Sequence, residues 1–388
     1  MRKLLLGIFL VMLFSTGFAD LVPYEPLNIV DKGNESLIAE IPTKPISENS
    51  TGPFVVLVFD DSTSMRWAID VPKDFNNGAE YLKDLEEYES IPWPVSSKDE
   101  DRASELRNKI DAFEIEMSDY LSANELPRDK YVRIDAAKNS GSNIIQLLES
   151  LQTDAGLVDF SEFAYETYYI GNNYRELSNT VKSLQTNGGT NIGDGLFKAV
   201  DLITGERSYR GTENEGIIIL FTDGRPTSGL TTEELMNFSD KYNPVVEAKS
   251  KNIKICTVGF GSKKAVDEEL LKAIAEEGNC NYSFGGTSYE FDIALAEAVQ
   301  SSVTKKLETY NGQIKQDETL NLKKFTVAKG LGKLVISLIW PGSTVGLEVT
   351  DPNGKKFTPQ TVGDTFAYLT VENPVPGDYL TSLTGQKI

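Results

Sequence analysis

The sequence predicts a doubly wound, mostly parallel α/β sheet with a helical insertion, followed by an antiparallel β-sandwich. Three observations predict it. Continuous apolar runs, suited to strands buried on both faces, alternate with amphipathic helical stretches between residues 54 and 308. Residues 66–131 interrupt that alternation with a helical pattern of their own, where a strand-to-helix loop is normally a few residues. Beyond residue 310 helical spacing stops, and short strand patterns are separated by turns rich in Pro, Gly and Asn.

Taken in order, residues 1–20 open with Arg2 and Lys3, continue as an apolar run from Leu4 to Phe14, and place Gly17 and Ala19 where a cleavage site needs small side chains. That is the pattern of a secretory signal peptide over 1–19, and the run is too short to span a bilayer. Residues 20–51 hold four prolines and read as an extended N-terminal segment. The α/β domain is expected over 52–308. Its first strand is FVVLVF (54–59), and RIDAAKNSGSNIIQLLESL (133–151) is a helix with Ile134, Ala137, Gly141, Ile145 and Leu148 on one face. GLVDFSEFA (156–164) is a strand that YETYYI extends or meets as a hairpin; helices are expected at 173–184 and 193–204. GIIILF (216–221) is a second buried strand, 231–242 and 244–252 read as helical, and IKICTVGFG (253–261) is a third. A helix at 265–277, a short strand at 281–286 and a long helix at 289–308 complete the domain.

Within the insertion 66–131, Leu106, Ile110, Phe113, Met117 and Leu121 form one apolar stripe, and Tyr81, Leu82, Leu85 and Tyr88 mark a shorter partner helix. The sandwich domain is expected over 312–388, with strands at 331–340, 344–351, 365–372 and 378–385.

Composition narrows the chemistry. The chain has 388 residues, with 58 acidic side chains against 38 basic ones, and a formal charge of −20. Such a surface repels phosphate backbones, so nucleic acid is not an expected partner. It has no histidine, which excludes Ser-His-Asp hydrolases and imidazole-ligated metals. No P-loop or nucleophile-elbow motif occurs, and no enzymatic activity is expected. No later stretch is apolar enough to span a membrane.

Three loops stand out. The first strand ends in Asp60-Asp61-Ser62-Thr63-Ser64, the second buried strand in Thr222-Asp223-Gly224, and Asn187-Gly188-Gly189-Thr190-Asn191 precedes a helix. In an open α/β sheet, ligands bind beyond the carboxyl ends of strands where the strand order reverses. The donors Asp60, Ser62, Ser64, Thr190 and Asp223 are all oxygen, a set that suits Mg2+, Mn2+ or Ca2+. Two neighbouring carboxylates would repel each other without a cation between them.

DDSTS, NGGTNIGDGL and ILFTDG together resemble the metal-ion-dependent adhesion site (MIDAS) of von Willebrand factor type A (VWA) domains, which have a Rossmann-like sheet. IDAAK, GLVDFSEFA and KICTVGFG resemble that family's pattern in the same order. The resemblance implies direct metal contacts from Ser62, Ser64 and Thr190, and largely water-mediated ones from Asp60 and Asp223. It also implies metal-bridged binding of a partner's carboxylate rather than turnover. In that strand order Cys256 and Cys280 lie on neighbouring strands, leaving a disulfide and two free thiols as alternatives. The expected function is that of a secreted or cell-surface protein that captures an acidic group of a protein or surface ligand. A structural or assembly subunit of a cell-envelope complex is the alternative.

Overall fold

The computed structural model describes residues 6–13, 52–92, 95–303, 305–312, 314–322, 324–340 and 345–386. The extended segment expected over 20–51 and the cleavage positions Gly17 and Ala19 lie outside these residues. The chain divides into two compact units, one spanning Gly52–Ser302, the other joining the N-terminal segment to Val303–Ile388.

The first strand of the chain, β1 (Leu6–Leu13), belongs to the second unit. In the first unit the strands are β2 (Phe54–Asp60), β3 (Ala155–Phe160), β4 (Ala164–Gly171), β5 (Gly216–Thr222), β6 (Ile253–Phe260) and β7 (Tyr282–Gly285). They form one sheet in the order β4-β3-β2-β5-β6-β7. All neighbours are parallel except β3 and β4, which pair as an antiparallel hairpin. Every residue of β2, β3 and β5 is buried, as expected of parallel strands covered on both faces. The edge strand β4 alternates instead, with Tyr165, Thr167 and Tyr169 exposed.

The helices are α1 (Gly78–Glu89), α2 (Glu100–Ala123), α3 (Arg133–Leu151), α4 (Tyr174–Ser183), α5 (Ile192–Arg210), α6 (Thr232–Leu235), α7 (Pro244–Ser250), α8 (Glu268–Glu277) and α9 (Ser288–Val303). Side chains of α5, α7 and α8 pack with Val56, Val58, Ile218 and Leu220 on one face of the sheet. On the other face, Phe291 of α9 lies against Phe221 and Phe260. Gly141 lets α3 approach Phe59: a Cβ there would sit 3.4 Å from that ring.

The insertion is the expected helix pair. Leu106, Ile110, Met117 and Leu121 are buried along α2, and Phe113 meets Tyr81 of α1 with ring centroids 5.5 Å apart. Its two ends meet at an antiparallel bridge between Ala68 and Val132, so the insertion leaves and rejoins the domain at one point.

Two helical expectations are corrected. The helix expected over 231–242 stops at Leu235. Asn243 Nδ2 donates to the carbonyls of Glu234 (3.0 Å) and Leu235 (2.8 Å), while its Oδ1 caps α7 by accepting from Val245 N. One side chain thus ends α6 and starts α7, the competition with helical bonds that Asn side chains offer. The helix expected to reach 308 ends at Val303, and Lys305–Gly312 is strand β8. Its backbone pairs with β1, some three hundred positions away, and no local periodicity reveals such a partner.

In the second unit all strand pairs are antiparallel. One sheet has the order β14-β15-β11-β1-β8, with β11 (Lys333–Ile339), β14 (Thr361–Val362) and β15 (Phe366–Glu372). The other runs β10-β16-β12-β13, with β9 (Thr319–Asn321) also on β16. Here β10 is Phe325–Val327, β12 Val345–Thr350, β13 Lys356–Phe357 and β16 Gly377–Gly385. Leu334, Ile336, Leu338 and Trp340 from one sheet share a core with Val345, Leu347, Tyr379 and Leu383 from the other. The apolar N-terminal run is β1 here, between β11 and β8. A run of Leu, Ile, Phe and Val has the side chains of a strand as well as those of a leader.

Candidate metal centre

The chain runs from β2 to β3 on one side and later from β5 to β6 on the other, so the order reverses between β2 and β5. Asp60 ends β2 and Asp223 follows β5, which puts both at the switch point. The register pairs Phe59 with Phe221, so the residues just beyond lie side by side.

The structure brings the expected residues together. Asp60 is fully enclosed; its Oδ1 accepts from Ser62 N at 2.8 Å and its Oδ2 from the Thr222 hydroxyl. The hydroxyls of Ser62 and Ser64 are 3.1 Å apart, and Ser64 Oγ donates to Asp223 Oδ1 at 2.7 Å. Thr190 lies on the same spot: a Cβ built on Gly224 would be 3.8 Å from Ser64 Oγ and 3.9 Å from Thr190 Oγ1. Ser62 and Thr190 are buried, and Ser64 is half-buried.

Backbone contacts hold the loops in place. Thr63 N and Oγ1 both donate to Gly188 O, at 3.2 and 2.7 Å, and Asn187 N donates to Asp61 O at 2.8 Å. Thr190 N donates to Thr227 Oγ1 at 2.8 Å, and Thr227 N returns a bond to Thr190 O at 3.0 Å. Gly188 has φ +61°, and a Cβ there would press against Glu162 N at 3.1 Å. The loop needs glycine for both reasons.

Burial, together with the charge of Asp223, pushes the Asp60 carboxyl up to about 8. A hard divalent cation relieves both causes, and two carboxylates with three neutral hydroxyls suit one. The residues present therefore fit the group. Asp61 is not in this chain of contacts; burial and the charge of Asp159 push it up to about 7.

Three residues of the site escaped the sequence reading. Arg133, at the start of α3, is 1% exposed; its Nη1 donates to Asp223 Oδ2 at 2.8 Å and its Nη2 to Glu89 Oε1 at 2.5 Å. Glu89 is the last residue of α1, in the insertion. Burial opposes the charge on Arg133, but Glu89 and Asp223 outweigh it and hold its pKa above the ordinary guanidinium range. Arg225, two residues past Asp223, donates to the carbonyls of Glu89 (2.5 Å) and Ile91 (3.4 Å). A signal was present: Arg133 lies four residues before Ala137 on the buried face of α3, and Glu89 four residues after Leu85 on that of α1. A charge on an apolar stripe calls for a buried partner.

Residues 130–298 match the family model of the von Willebrand factor type A domain. The chain carries a VWA domain. The match begins at residue 130, at the end of the insertion, so Thr190 and Asp223 lie inside it, while Asp60, Ser62 and Ser64 lie before it. The sheet nevertheless seats β2 at the centre of the VWA fold, between β3 and β5.

Among solved structures, similar chains include the conserved hypothetical protein BatB from Bacteroides thetaiotaomicron, with 17% identity and a TM-score of 0.40, covering 64% of this chain and 98% of that one. A von Willebrand factor type A protein from Catenulispora acidiphila has 15% identity and a TM-score of 0.39, covering 87% and 59%. A variant of the PilB minor pilin from Streptococcus sanguinis has 15% identity and a TM-score of 0.39, covering 67% and 63%. Likeness at this level does not extend to ligand or site. No curated protein matches the chain in sequence.

Proposed function

We propose that this protein is an extracellular binding protein that holds Mg2+, Mn2+ or Ca2+ at its VWA domain and captures an acidic group of a protein or surface ligand there. Its function is binding, not turnover. Asp60 and Asp223 supply the charge, and Ser62, Ser64 and Thr190 supply neutral oxygens. The bound cation provides a hard positive point for an incoming carboxylate. The chain's own residues orient that point: Thr222 and Ser62 N fix Asp60, and Ser64 ties the first loop to Asp223.

The observation that carries this reading is the unbroken chain of contacts from Asp60 through Ser62 and Ser64 to Asp223, with Thr190 beside it. An extracellular location is supported by the Cys256–Cys280 disulfide, with Cα atoms 4.9 Å apart. Among the described residues no helix is long and apolar enough to cross a membrane.

The test is Asp60→Asn, which keeps the side-chain shape and removes the charge. Wild-type protein should bind Mn2+ and retain a carboxylate-bearing ligand from its native surroundings; the variant should fold and do neither. Capture that persists in EDTA, or in the variant, would count against metal-dependent binding.

A further inference from the structure

We propose that Glu89, carried by the insertion, is a positioning residue of the metal centre: acting through Arg133 on Asp223, it sets the centre's charge, so that cation affinity depends on the insertion being seated. The proposal rests on the reading of the three-loop site as a cation site.

Asp60, Asp223, Glu89 and Arg133 form one buried set, none of them more than 6% exposed. With all four ionised, three carboxylates and one guanidinium leave two negative charges, the complement of a divalent cation. Arg133 divides its fork between two carboxylates, one amino group on Asp223 and the other on Glu89, while its Nε donates to Ala68 O at 3.3 Å. If Glu89 lost its charge, the set would hold one negative charge. The guanidinium would then act undivided on Asp223, the carboxylate that should serve the cation. Charges separated by little solvent interact strongly over such distances.

Glu89 is kept there from both sides. Arg225 binds its carbonyl and that of Ile91, and also reaches Lys264 O at 3.1 Å. Tyr81, two turns before Glu89 on the buried face of α1, accepts from Ala68 N at its hydroxyl oxygen, at 2.9 Å. The insertion is therefore fastened to the loop after β5, which bears Asp223.

The experiment uses the full chain and Glu89→Gln, which retains an acceptor oxygen for Arg133 but not the charge. Mn2+ affinity is read from the electron paramagnetic resonance signal of free Mn2+, and thermal unfolding is followed in EDTA. E89Q should fold and bind Mn2+ roughly ten-fold more weakly than wild type. Unchanged affinity in E89Q, at any melting temperature, overturns the proposal and leaves Glu89 a clamp. Wild-type protein that binds no Mn2+ overturns the cation reading itself, and this proposal with it. Should E89Q not fold, hydrogen exchange of residues 86–92 in the wild type decides the matter: slower exchange with saturating Mn2+ supports the coupling, and unchanged exchange overturns it.

Discussion

Asp292 on α9 is buried and accepts from Asn143 Nδ2 at 3.4 Å. Burial pushes its carboxyl up to about 6, from an ordinary value of 3.8. Between those values the folded chain keeps a proton that the unfolded chain has lost. Stability contributed by this residue therefore falls as pH rises through that window. Asp292→Asn should remove the slope and stabilise the domain at pH 7 by about 1–3 kcal/mol. Urea unfolding at pH 4, 5 and 7 checks this; an unaltered pH slope in the variant would show that another group is responsible. Asp60 has neutral donors around it, whereas Asp223 and Glu89 share Arg133. The acidic and hydroxylic residues of the site were legible because each follows a recognisable strand or loop pattern. Arg133 and Glu89 were legible only as charges on otherwise apolar helix faces, since their partners come from distant parts of the chain.

The insertion joins the domain through the Ala68–Val132 bridge, so its removal leaves two ends close enough for a short linker. Its helices bury their own stripe and take no part in the core that α5, α7 and α8 make with the sheet. Replacing residues 69–131 by a short Gly-Ser loop should leave the sheet folded but remove Glu89. Mn2+ affinity should fall by roughly ten-fold or more, and ligand choice should change with it. Circular dichroism and a Mn2+ titration measure both parts. A loop variant that binds Mn2+ as tightly as wild type would reduce the insertion to a decoration. Other elements show how far a local pattern reaches. β2, β5 and β6 were legible because a strand buried on both faces is a continuous apolar run. The stop of α6 was not, because it depends on where the Asn243 amide points.

Across the whole molecule the formal charge of −20 bears on the approach of any acidic partner. Attraction to a bound cation acts at short range, whereas net repulsion reaches out to the screening length. That length shrinks from about 30 Å at 0.01 M salt to about 8 Å at 0.15 M. Association with a carboxylate-bearing ligand should therefore speed up as salt rises over this range, with dissociation changing less. Surface plasmon resonance at several ionic strengths separates the two rates; association that slows with salt would mean that a local basic patch steers the ligand instead.

The amino-acid sequence by itself determined the alternation of strands and helices, the all-oxygen character of the site, and the existence of a helical insertion. Each follows from local side-chain periodicity or from residue types that no fold can alter. The tertiary structure decided which groups meet: Cys256 with Cys280, β1 with β8 and β11, and Glu89 with Arg133 and Asp223. Pairing between distant segments depends on how sheets and helices close around a core, and spacing along the chain carries no record of it.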